Sequence, residues 1–329
     1  MADNLLDKAS ILLTPTAYDN GSMLSIKPEN GDGDFDFERN SAATRVNAQG
    51  LVENVQIISP ELVSNGNFSQ IGTEEVLNGN FSQQGSELVT NGDFATDSDW
   101  NIVNNTGAAS EIINGYARIK TDGAYTQIDQ PNVTIAAKSY KLQYTISESD
   151  GGSLGFIITG NQTASIPTTV GTHIYYFVAN STSIVFKRFS GVLDVKIDNV
   201  SVKEVGQNWG FVSGATVGDD KAIISGDGSV AGLIEQTSVF SSGKTYKITL
   251  DAVINSGGGL NVKYGLGFAD NIGSMLTTGS YTFYYTASAT KSLVIARKTG
   301  GVAYDSSITN ISVKEVGQDW SLGSGWSIG

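Results

Sequence analysis

Residues 310–320 repeat residues 199–209 almost letter for letter: Asn-Val-Ser-Val-Lys-Glu-Val-Gly-Gln-Asn-Trp becomes Asn-Ile-Ser-Val-Lys-Glu-Val-Gly-Gln-Asp-Trp. The offset between the two tryptophans is 111 residues (320 − 209). That length is too great for one unit of a solenoid and suits a whole small domain. The sequence therefore predicts a tandem array of similar modules.

Other positions support this array. Trp100 corresponds to Trp209, and His173 corresponds to Tyr281. The offset changes slightly along the chain, as expected where loops differ in length. The predicted domains are an N-terminal docking segment at 1–58, a neck of short repeats at 59–86, module 1 at 87–207, module 2 at 208–318, and the start of a truncated third module at 319–329.

Apolar and polar residues alternate in short runs from about residue 85 onward, with Gly, Asn or Ser between the runs. Residues 139–147, for example, place Tyr140, Leu142, Tyr144 and Ile146 on one face. Alternation with a period of two predicts strands, and strands spaced by about ten residues are typical of antiparallel sandwiches. We expect an all-β fold, with each module an antiparallel β-sandwich of the jelly-roll kind.

A shorter repeat precedes the modules. Asn-Gly pairs begin at 65, 78 and 91, and phenylalanines follow at 68, 81 and 94, so both series keep a spacing of 13. Asn-Gly is a strong turn signal because both residues accept a positive φ. A module body follows the third copy directly. The first two copies are interpreted as duplicated module starts that form small hairpins or rungs in the neck.

Composition excludes several functions. The net charge of −13 argues against a nucleic-acid partner, which needs clustered Lys and Arg. The sequence has no run of 18 apolar residues, so we expect no membrane span, and its N-terminus has no signal-peptide pattern. With no Cys and one His, His173, nucleophilic catalysis and zinc binding are not expected. We predict that the chain is not an enzyme and that His173 is structural.

Residues 35–53, Phe-Asp-Phe-Glu-Arg-Asn-Ser-Ala-Ala-Thr-Arg-Val-Asn-Ala-Gln-Gly-Leu-Val-Glu, resemble a segment found in bacteriophage tail-fibre and other virion proteins. The resemblance implies a structural protein on the outer surface of a phage particle. Residues 1–58 would then dock on other virion proteins, and a homotrimer would be the usual assembly. The acidic run at 30–36 resembles half of a calcium loop, although a solvated turn is the simpler interpretation.

Module 1 opens with Glu-Leu-Val-Thr-Asn-Gly-Asp-Phe at 87–94 and closes with Val-Lys-Ile-Asp-Asn-Val-Ser-Val at 195–202. This pattern resembles carbohydrate-binding modules of the xylanase-associated jelly-roll type, in which the opening and closing strands are neighbours. The resemblance implies a calcium site at Asp93 and Asp198. The alternative is a turn-capping aspartate and an edge-strand aspartate, each bonded to its own backbone. Module 2 departs from the pattern, since Asp198 becomes Thr309 and no Asn-Gly-Asp-Phe opening lies at its start.

Sugar recognition uses an exposed aromatic ring with polar side chains beside it. The candidates for glycan contact are Tyr116, Tyr125, Tyr175 and Trp100. Because Trp100 recurs as Trp209, a core position is the stronger interpretation for it. Tyr175 and Tyr176 alternate in one strand, so we expect one of them to be exposed.

Three hypotheses fit these observations. The first is a phage fibre or appendage whose modules act as spacers and bind host-surface polysaccharide weakly, with multivalency adding strength. The second is a capsid decoration or head-fibre protein with the same modules. The third is a non-viral surface polysaccharide-binding protein.

Overall fold

A computed structural model describes the chain at residues 8, 12–19, 22–27, 35–36, 43–46, 49–55, 62–159, 162–212, 214–267, 270–321, 323 and 328. The chain divides into two compact units, residues 1–64 and residues 65–329. Among the described residues, no helix has the length and apolar character needed to cross a membrane.

The first unit contains two small antiparallel sheets. One has three strands in the order β1-β2-β3, and the other is the hairpin β4-β5. The hairpin overlaps the segment that resembles virion proteins, whereas residues 30–34 of the acidic run lie outside the described residues. The strands are β1 Leu12–Asp19, β2 Ser22–Lys27, β3 Phe35–Asp36, β4 Ala43–Val46 and β5 Val52–Val55.

Module 1 in the second unit is built from strands that alternate buried and exposed residues. Its strands are β7 Gln84–Glu87, β8 Asn101–Asn104, β9 Glu111–Ile113, β10 Tyr116–Thr121, β11 Thr126–Gln130, β12 Ser139–Thr159, β13 Gln162–Ile166, β14 Gly171–Val178 and β15 Ile184–Val205. The short strand β6, Ile71–Glu74, precedes them.

Two long strands run through both layers of module 1. The first half of β12 pairs with β14, and its second half pairs with β13. Likewise, β15 pairs with β11 near its start and with β10 further along. Each long strand turns between the layers at glycines with positive φ, Gly151 and Gly152 in β12 and Gly191 in β15. The turn folds one set of strands into two layers around a common core.

Module 2 has the same architecture with the long strands interrupted. The glycines at 257–259 separate β20 from β21, and Gly300 and Gly301 separate β24 from β25. Its two sheets are therefore distinct, in the orders β16-β19-β24-β21-β22 and β17-β18-β25-β20-β23. The strands are β16 Gly210–Val212, β17 Ala215–Gly218, β18 Lys221–Gly226, β19 Leu233–Phe240, β20 Thr245–Ser256, β21 Leu260–Tyr264, β22 Asn271–Met275, β23 Gly279–Thr286, β24 Lys291–Arg297 and β25 Tyr304–Val316.

The two modules have separate hydrophobic cores. One core packs Trp100, Tyr144 and Phe186, and the other packs Trp209, Tyr246 and Tyr264. Both cores lie between antiparallel layers, which confirms the predicted all-β fold of tandem β-sandwiches. The recurring tryptophan is a core residue in both modules.

The short repeats before module 1 do not form a separate neck. Strand β6 pairs with β25, the closing strand of module 2, through Glu74 opposite Lys314. Strand β7 pairs with β15, the closing strand of module 1, through Glu87 opposite Lys203. The residues before module 1 therefore add strands to the modules in reverse order. Strand β6, which comes first in the chain, joins module 2, and β7 joins module 1.

The second and third copies of the repeat occupy equivalent places in the two modules. In module 1, Val200 N–H donates to Gly92 O at 2.8 Å. In module 2, Ile311 N–H donates to Gly79 O at 3.0 Å. A Cβ atom on either glycine would lie 2.0 Å from a carbonyl oxygen of the closing strand, so the close approach requires glycine at both positions.

This equivalence corrects two expectations. Module 2 does have an opening segment, made of strand β6 and the second copy of the repeat that follows it at residues 75–81. The predicted neck at 59–86 is wrong, since Val76 and Phe81 lie in the core of module 2. Module 2 is therefore discontinuous in sequence, and module 1 is inserted between its first and second strands.

An aromatic pair closes each module at this strand. Phe94 and Trp100 in module 1 have ring centroids 5.2 Å apart, and Phe81 and Trp209 in module 2 have centroids 5.3 Å apart. Both phenylalanines have a positive φ, 50° for Phe94 and 57° for Phe81, which is unfavourable for a bulky residue. Burial of the rings against tryptophan offsets that strain.

We predict that Phe81→Ala destabilises module 2 while leaving module 1 folded, although residue 81 precedes module 1 in the chain. The loss should be about 3–5 kcal/mol because a large buried ring is removed. Hydrogen exchange followed by mass spectrometry would show faster exchange in residues 71–81 and 210–316 and unchanged exchange in module 1. Phe94→Ala is the matched control and should affect module 1 instead. Faster exchange confined to module 1 in the Phe81→Ala variant would contradict the nested arrangement.

Candidate functional site

The outer face of one layer of module 1 combines exposed aromatic rings with hydrogen-bonding side chains. Strand β11 buries Thr126, Ile128 and Gln130, so alternation turns Gln127 and Asp129 outward. Tyr125, one residue before this strand, continues the outward series and is 41% exposed. We call the outward set Asn101, Tyr125, Gln127, Asp129, Lys187 and Phe189 the Tyr125–Phe189 face.

Hydrogen bonds order the polar part of this face. The Tyr125 hydroxyl donates to Gln127 Oε1, and Gln127 Nε2 donates to Asp129 Oδ1 at 2.9 Å. Asn101 Nδ2, on the neighbouring strand β8, donates to Asp129 Oδ2 at 3.0 Å. The four side chains form a connected row across two strands, which fixes their rotamers before any ligand binds.

Phe189 gives the face its second exposed ring. It is 47% exposed. A Cβ atom on Gly155 would lie 3.4 Å from Phe189 Cδ2 and 2.4 Å from Thr163 Cγ2, so glycine at 155 leaves room for both side chains. Gln127 lies opposite Lys187 in the register of β11 and β15. Tyr125 lies two residues before Gln127 and Phe189 two residues after Lys187, so both rings lie at the same end of this strand pair.

This arrangement has the chemistry that sugar binding needs. Aromatic rings offer apolar faces to the C–H faces of a pyranose ring, and amide, carboxylate and ammonium groups bond its hydroxyls. The alternation of residues 184–189 identified the strand but did not mark Phe189 as a site residue. Asn101, Gln127, Asp129 and Lys187 were also missed, because single polar side chains on a strand are ordinary in sequence.

The corresponding layer of module 2 presents no aromatic ring at its outward positions on β19, β21 and β24. Those positions hold Leu233, Glu235, Asn261, Lys263, Val294 and Ala296. The aromatic residues of these strands, Phe240 and Tyr264, are buried in the core. The two modules therefore share a fold and differ on this surface.

Tyr116, predicted as a glycan contact, lies on the other layer of module 1, among charged residues. Lys196 Nζ stands 4.7 Å from the centroid of its ring. Nearby, Arg118 donates two hydrogen bonds to Asp194, at 2.7 and 2.6 Å, and this bonding lowers the pKa of the Asp194 carboxyl. One face of the Tyr116 ring is thus taken by a cation.

Tyr175, the other predicted contact in strand β14, does not present an exposed ring. It packs against the core of module 1, at the edge of Phe156 with ring centroids 6.2 Å apart, and burial raises its pKa. Its neighbour Tyr176 points the other way and packs against module 2, where its ring meets Gly218. The expectation that one of this pair is exposed is wrong, since both rings are partly buried. Alternation assigns the two side chains to opposite faces of the strand but does not show what packs on each face.

His173 and Tyr281 occupy equivalent positions and make the same kind of bond. His173 Nε2 lies 2.6 Å from Thr169 O, and the Tyr281 hydroxyl donates to Thr277 O at 2.6 Å. In each module the side chain anchors the backbone four residues earlier. This geometry supports a structural role for His173. That the chain is not an enzyme stays a prediction.

Of the two predicted calcium ligands, Asp93 lies in the turn after β7 and Asp198 lies in β15, beside that turn. Asp93 Oδ1 accepts from Ala95 N–H at 3.3 Å, and Asp198 Oδ1 accepts from Asn199 N–H at 2.6 Å. Within the described part of the chain, no group of three or more His, Cys, Asp or Glu lies close enough to hold a metal. Since calcium also accepts backbone carbonyls, the site at Asp93 and Asp198 stays a prediction. In module 2, Thr309 instead donates to Asp220 O at 3.0 Å.

Glu87 joins the opening and closing strands of module 1, a role that sequence reasoning missed. Its Oε1 accepts from the N–H groups of Val89 and Val202, at 3.0 and 2.9 Å, and its Oε2 accepts from the Ser201 hydroxyl. Partial burial would raise the pKa of this carboxyl, but the hydrogen bonds outweigh burial and lower it. Glu74 bonds Val313 N–H in module 2 in the same way, at 2.7 Å. The spacing of 13 between Glu74 and Glu87 was the available signal.

Comparisons with known proteins add little to this geometry. No protein-family model matches the chain, and no curated protein matches it. Among solved structures, the chain is similar to the N-terminal tandem CBM22-1–CBM22-2 domain of Xyn10C from Paenibacillus barcinonensis, with 10% identity, a TM-score of 0.31, and coverage of 71% of this chain and 99% of that one. A CBM4 structure matches with 17% identity, a TM-score of 0.24, and coverage of 39% and 98%.

A fucolectin from the serum of striped bass, Morone saxatilis, also matches, with 7% identity and a TM-score of 0.23 over 61% of this chain and 85% of that one. TM-scores this low carry no argument about function. The sandwich architecture rests on the sheets and cores of the chain itself, and the candidate site rests on the Tyr125–Phe189 face.

We predict that Glu87→Gln lowers the melting temperature of module 1 in a pH-dependent way. A carboxyl whose pKa is lower in the folded protein stabilises the fold above its ordinary pKa of 4.5, and this contribution is lost as the pH falls through the folded value. The difference from the native chain should be about 1 kcal/mol at pH 7, because the group is largely exposed and solvent screens it. It should shrink below about pH 4.5. Calorimetry with Glu235→Gln as control measures it, and a difference that does not change with pH would contradict the assignment.

Proposed function

We propose that the chain is a structural protein of a bacteriophage particle, a fibre or appendage that docks by residues 1–58 and attaches weakly to host-surface polysaccharide. The observation that carries the attachment is the Tyr125–Phe189 face, with two exposed rings beside a pre-ordered polar row. In this proposal module 1 binds the glycan, and module 2 serves mainly as a spacer because the outward positions of its strands β19, β21 and β24 hold no aromatic residue.

Weak binding suits such a face. It is open and carries two rings, so each site alone would bind a sugar chain with low affinity. Several copies on one particle raise the effective concentration of sites, and overall attachment then exceeds that of a single module. A homotrimer would provide three such faces in one fibre and is part of the proposal.

The hairpin β4-β5 supports the docking role. Val46 and Val52 lie directly opposite each other in its register, so their side chains share one face, and both are exposed. Leu51 in the adjoining turn is exposed as well. Neighbouring exposed apolar residues are typical of a surface that another protein covers. The hairpin falls within the segment that resembles virion proteins.

Capsid decoration and a non-viral polysaccharide-binding protein remain the alternatives. A head fibre would use the same modules and a different attachment point. The non-viral alternative shares the Tyr125–Phe189 face and gives no role to the exposed hairpin. Particle incorporation separates the viral proposals from the non-viral one.

We predict that the double variant Tyr125→Ala/Phe189→Ala loses about tenfold in retention by polysaccharide in affinity electrophoresis, because two stacking rings are removed. The panel should include xylan, β-glucan and a polysaccharide extract of the host surface. Tyr284→Ala is the matched control, since it removes an exposed ring of module 2 and should leave retention unchanged. Equal retention of the double variant and the native chain would rule out this face.

We also predict that Val46→Ser/Val52→Ser reduces incorporation of the chain into purified phage particles several-fold. Two apolar side chains that a partner would cover become polar, while the second unit is untouched. Immunoblots of particles made with each variant measure incorporation. Leu276→Ser, which changes an exposed apolar residue of module 2, is the control. Normal incorporation of the double variant would contradict docking through this hairpin.

A further inference from the structure

The first copy of the 13-residue repeat makes the same contacts with Trp320 that the second copy makes with Trp209. Phe68 and Trp320 have ring centroids 5.2 Å apart with planes at 39°, against 5.3 Å and 41° for Phe81 and Trp209. Trp320 Nε1 donates to Asn65 O at 3.0 Å, as Trp209 Nε1 donates to Asn78 O at 3.2 Å.

The turns agree in further detail. Asn65 Nδ2 donates to Gln318 O at 3.2 Å, and Asn78 Nδ2 donates to Gln207 O at 3.2 Å. The backbone φ is 51° at both asparagines, and it is 55° at Phe68 and 57° at Phe81. Residues 65–68 and Trp320 therefore have the geometry of the corner that residues 78–81 and Trp209 form in module 2.

The two corners differ in burial. Phe81 is 2% exposed and Trp209 is 7% exposed, whereas Phe68 and Trp320 are both 41% exposed. In module 2 the rings are covered by the core of the module body, which follows Trp209. Phe68 has the same unfavourable positive φ as Phe81 without comparable burial to offset it.

A second, independent observation comes from the contact between modules. Tyr176 of strand β14 lies against Gly218 of module 2 and packs on the core of that module. Its counterpart in module 2 is Tyr284, since Tyr176 is opposite Lys141 in β12 and Tyr284 is opposite Lys247 in β20. Tyr284 is 38% exposed. The tyrosine through which module 1 packs on module 2 thus has an equivalent on module 2.

We propose that Asn65, Phe68, Trp320 and Tyr284 form the seat for a third β-sandwich body of the same class, joined to the chain through Trp320. Phe68 and Trp320 enter its core as Phe81 and Trp209 enter the core of module 2, and Tyr284 packs on its outer strand as Tyr176 packs on β17. The number of N-terminal turns then equals the number of modules. Each turn closes one module, and each module is inserted within the next.

The test extends the chain with a body known to fit such a corner. Residues 210–318 are fused after Trp320 in place of residues 321–329. Exchange of tryptophan indole N–H groups is then followed by NMR. In the extended chain, the Trp320 indole N–H should exchange as slowly as the Trp209 indole N–H. In the native chain, the Trp320 indole N–H should exchange much faster. In the extended chain, Phe68→Ala should open the added body and leave residues 84–316 protected.

The controls separate the outcomes. Phe81→Ala in the extended chain should open module 2, and Phe68→Ala in the native chain should leave residues 84–316 unchanged. An added body that stays unprotected, or one that is protected regardless of Phe68, overturns the proposal. So does dimerisation of the native chain that Phe68→Ala abolishes, since the occupant would then be a second copy.

Discussion

The structure depends on two short strands, β6 and β7, which precede the module bodies and pair with the closing strands of module 2 and module 1. Each added strand is followed by an Asn-Gly turn that brings a phenylalanine onto the tryptophan of its module. Because the turns come in the opposite order to the module bodies, module 2 is assembled from residues on both sides of module 1. The chain enters and leaves module 1 near the same end, which is the geometry that permits insertion of one domain in another.

This arrangement explains features that otherwise look unrelated. The glycines at 79 and 92 are needed because each turn presses against a carbonyl of a closing strand. The glutamates at 74 and 87 bond the next N–H groups along those strands. The phenylalanines accept an unfavourable φ because their rings are buried. The Asn-Gly turn, the glutamate that bonds the closing strand and the buried phenylalanine recur together at a spacing of 13, so they form one structural unit.

Much of the fold could be predicted from the sequence, because a repeat of about 111 residues and strict alternation leave few choices besides tandem β-sandwiches. The placement of Trp100 and His173 also followed from their counterparts in module 2. The role of residues 59–86 could not be predicted. Their position directly before module 1 suggested a neck, and pairing between strands more than 200 residues apart leaves no local pattern in the sequence. Tyr175 failed for a related reason: alternation assigns a side chain to a face, and tertiary packing decides whether that face is covered. Of the residues in the candidate site, the sequence predicted only Tyr125. Phe189 could be assigned to the site only after the structure gave the pairing of β11 with β15.

The nested order also bears on the proposed function. Module 1 presents the aromatic face, while module 2 lends its closing strand to the segment that leads back to the N-terminal unit. The central claim is that residues 71–81 belong to module 2. It is tested most directly by placing a protease site between Ser82 and Gln83, cutting the folded chain, and running native size-exclusion chromatography. The account predicts that fragment 1–82 stays bound to 83–329 and separates only in denaturant. Separation under native conditions, with module 2 still protected from hydrogen exchange, would contradict it.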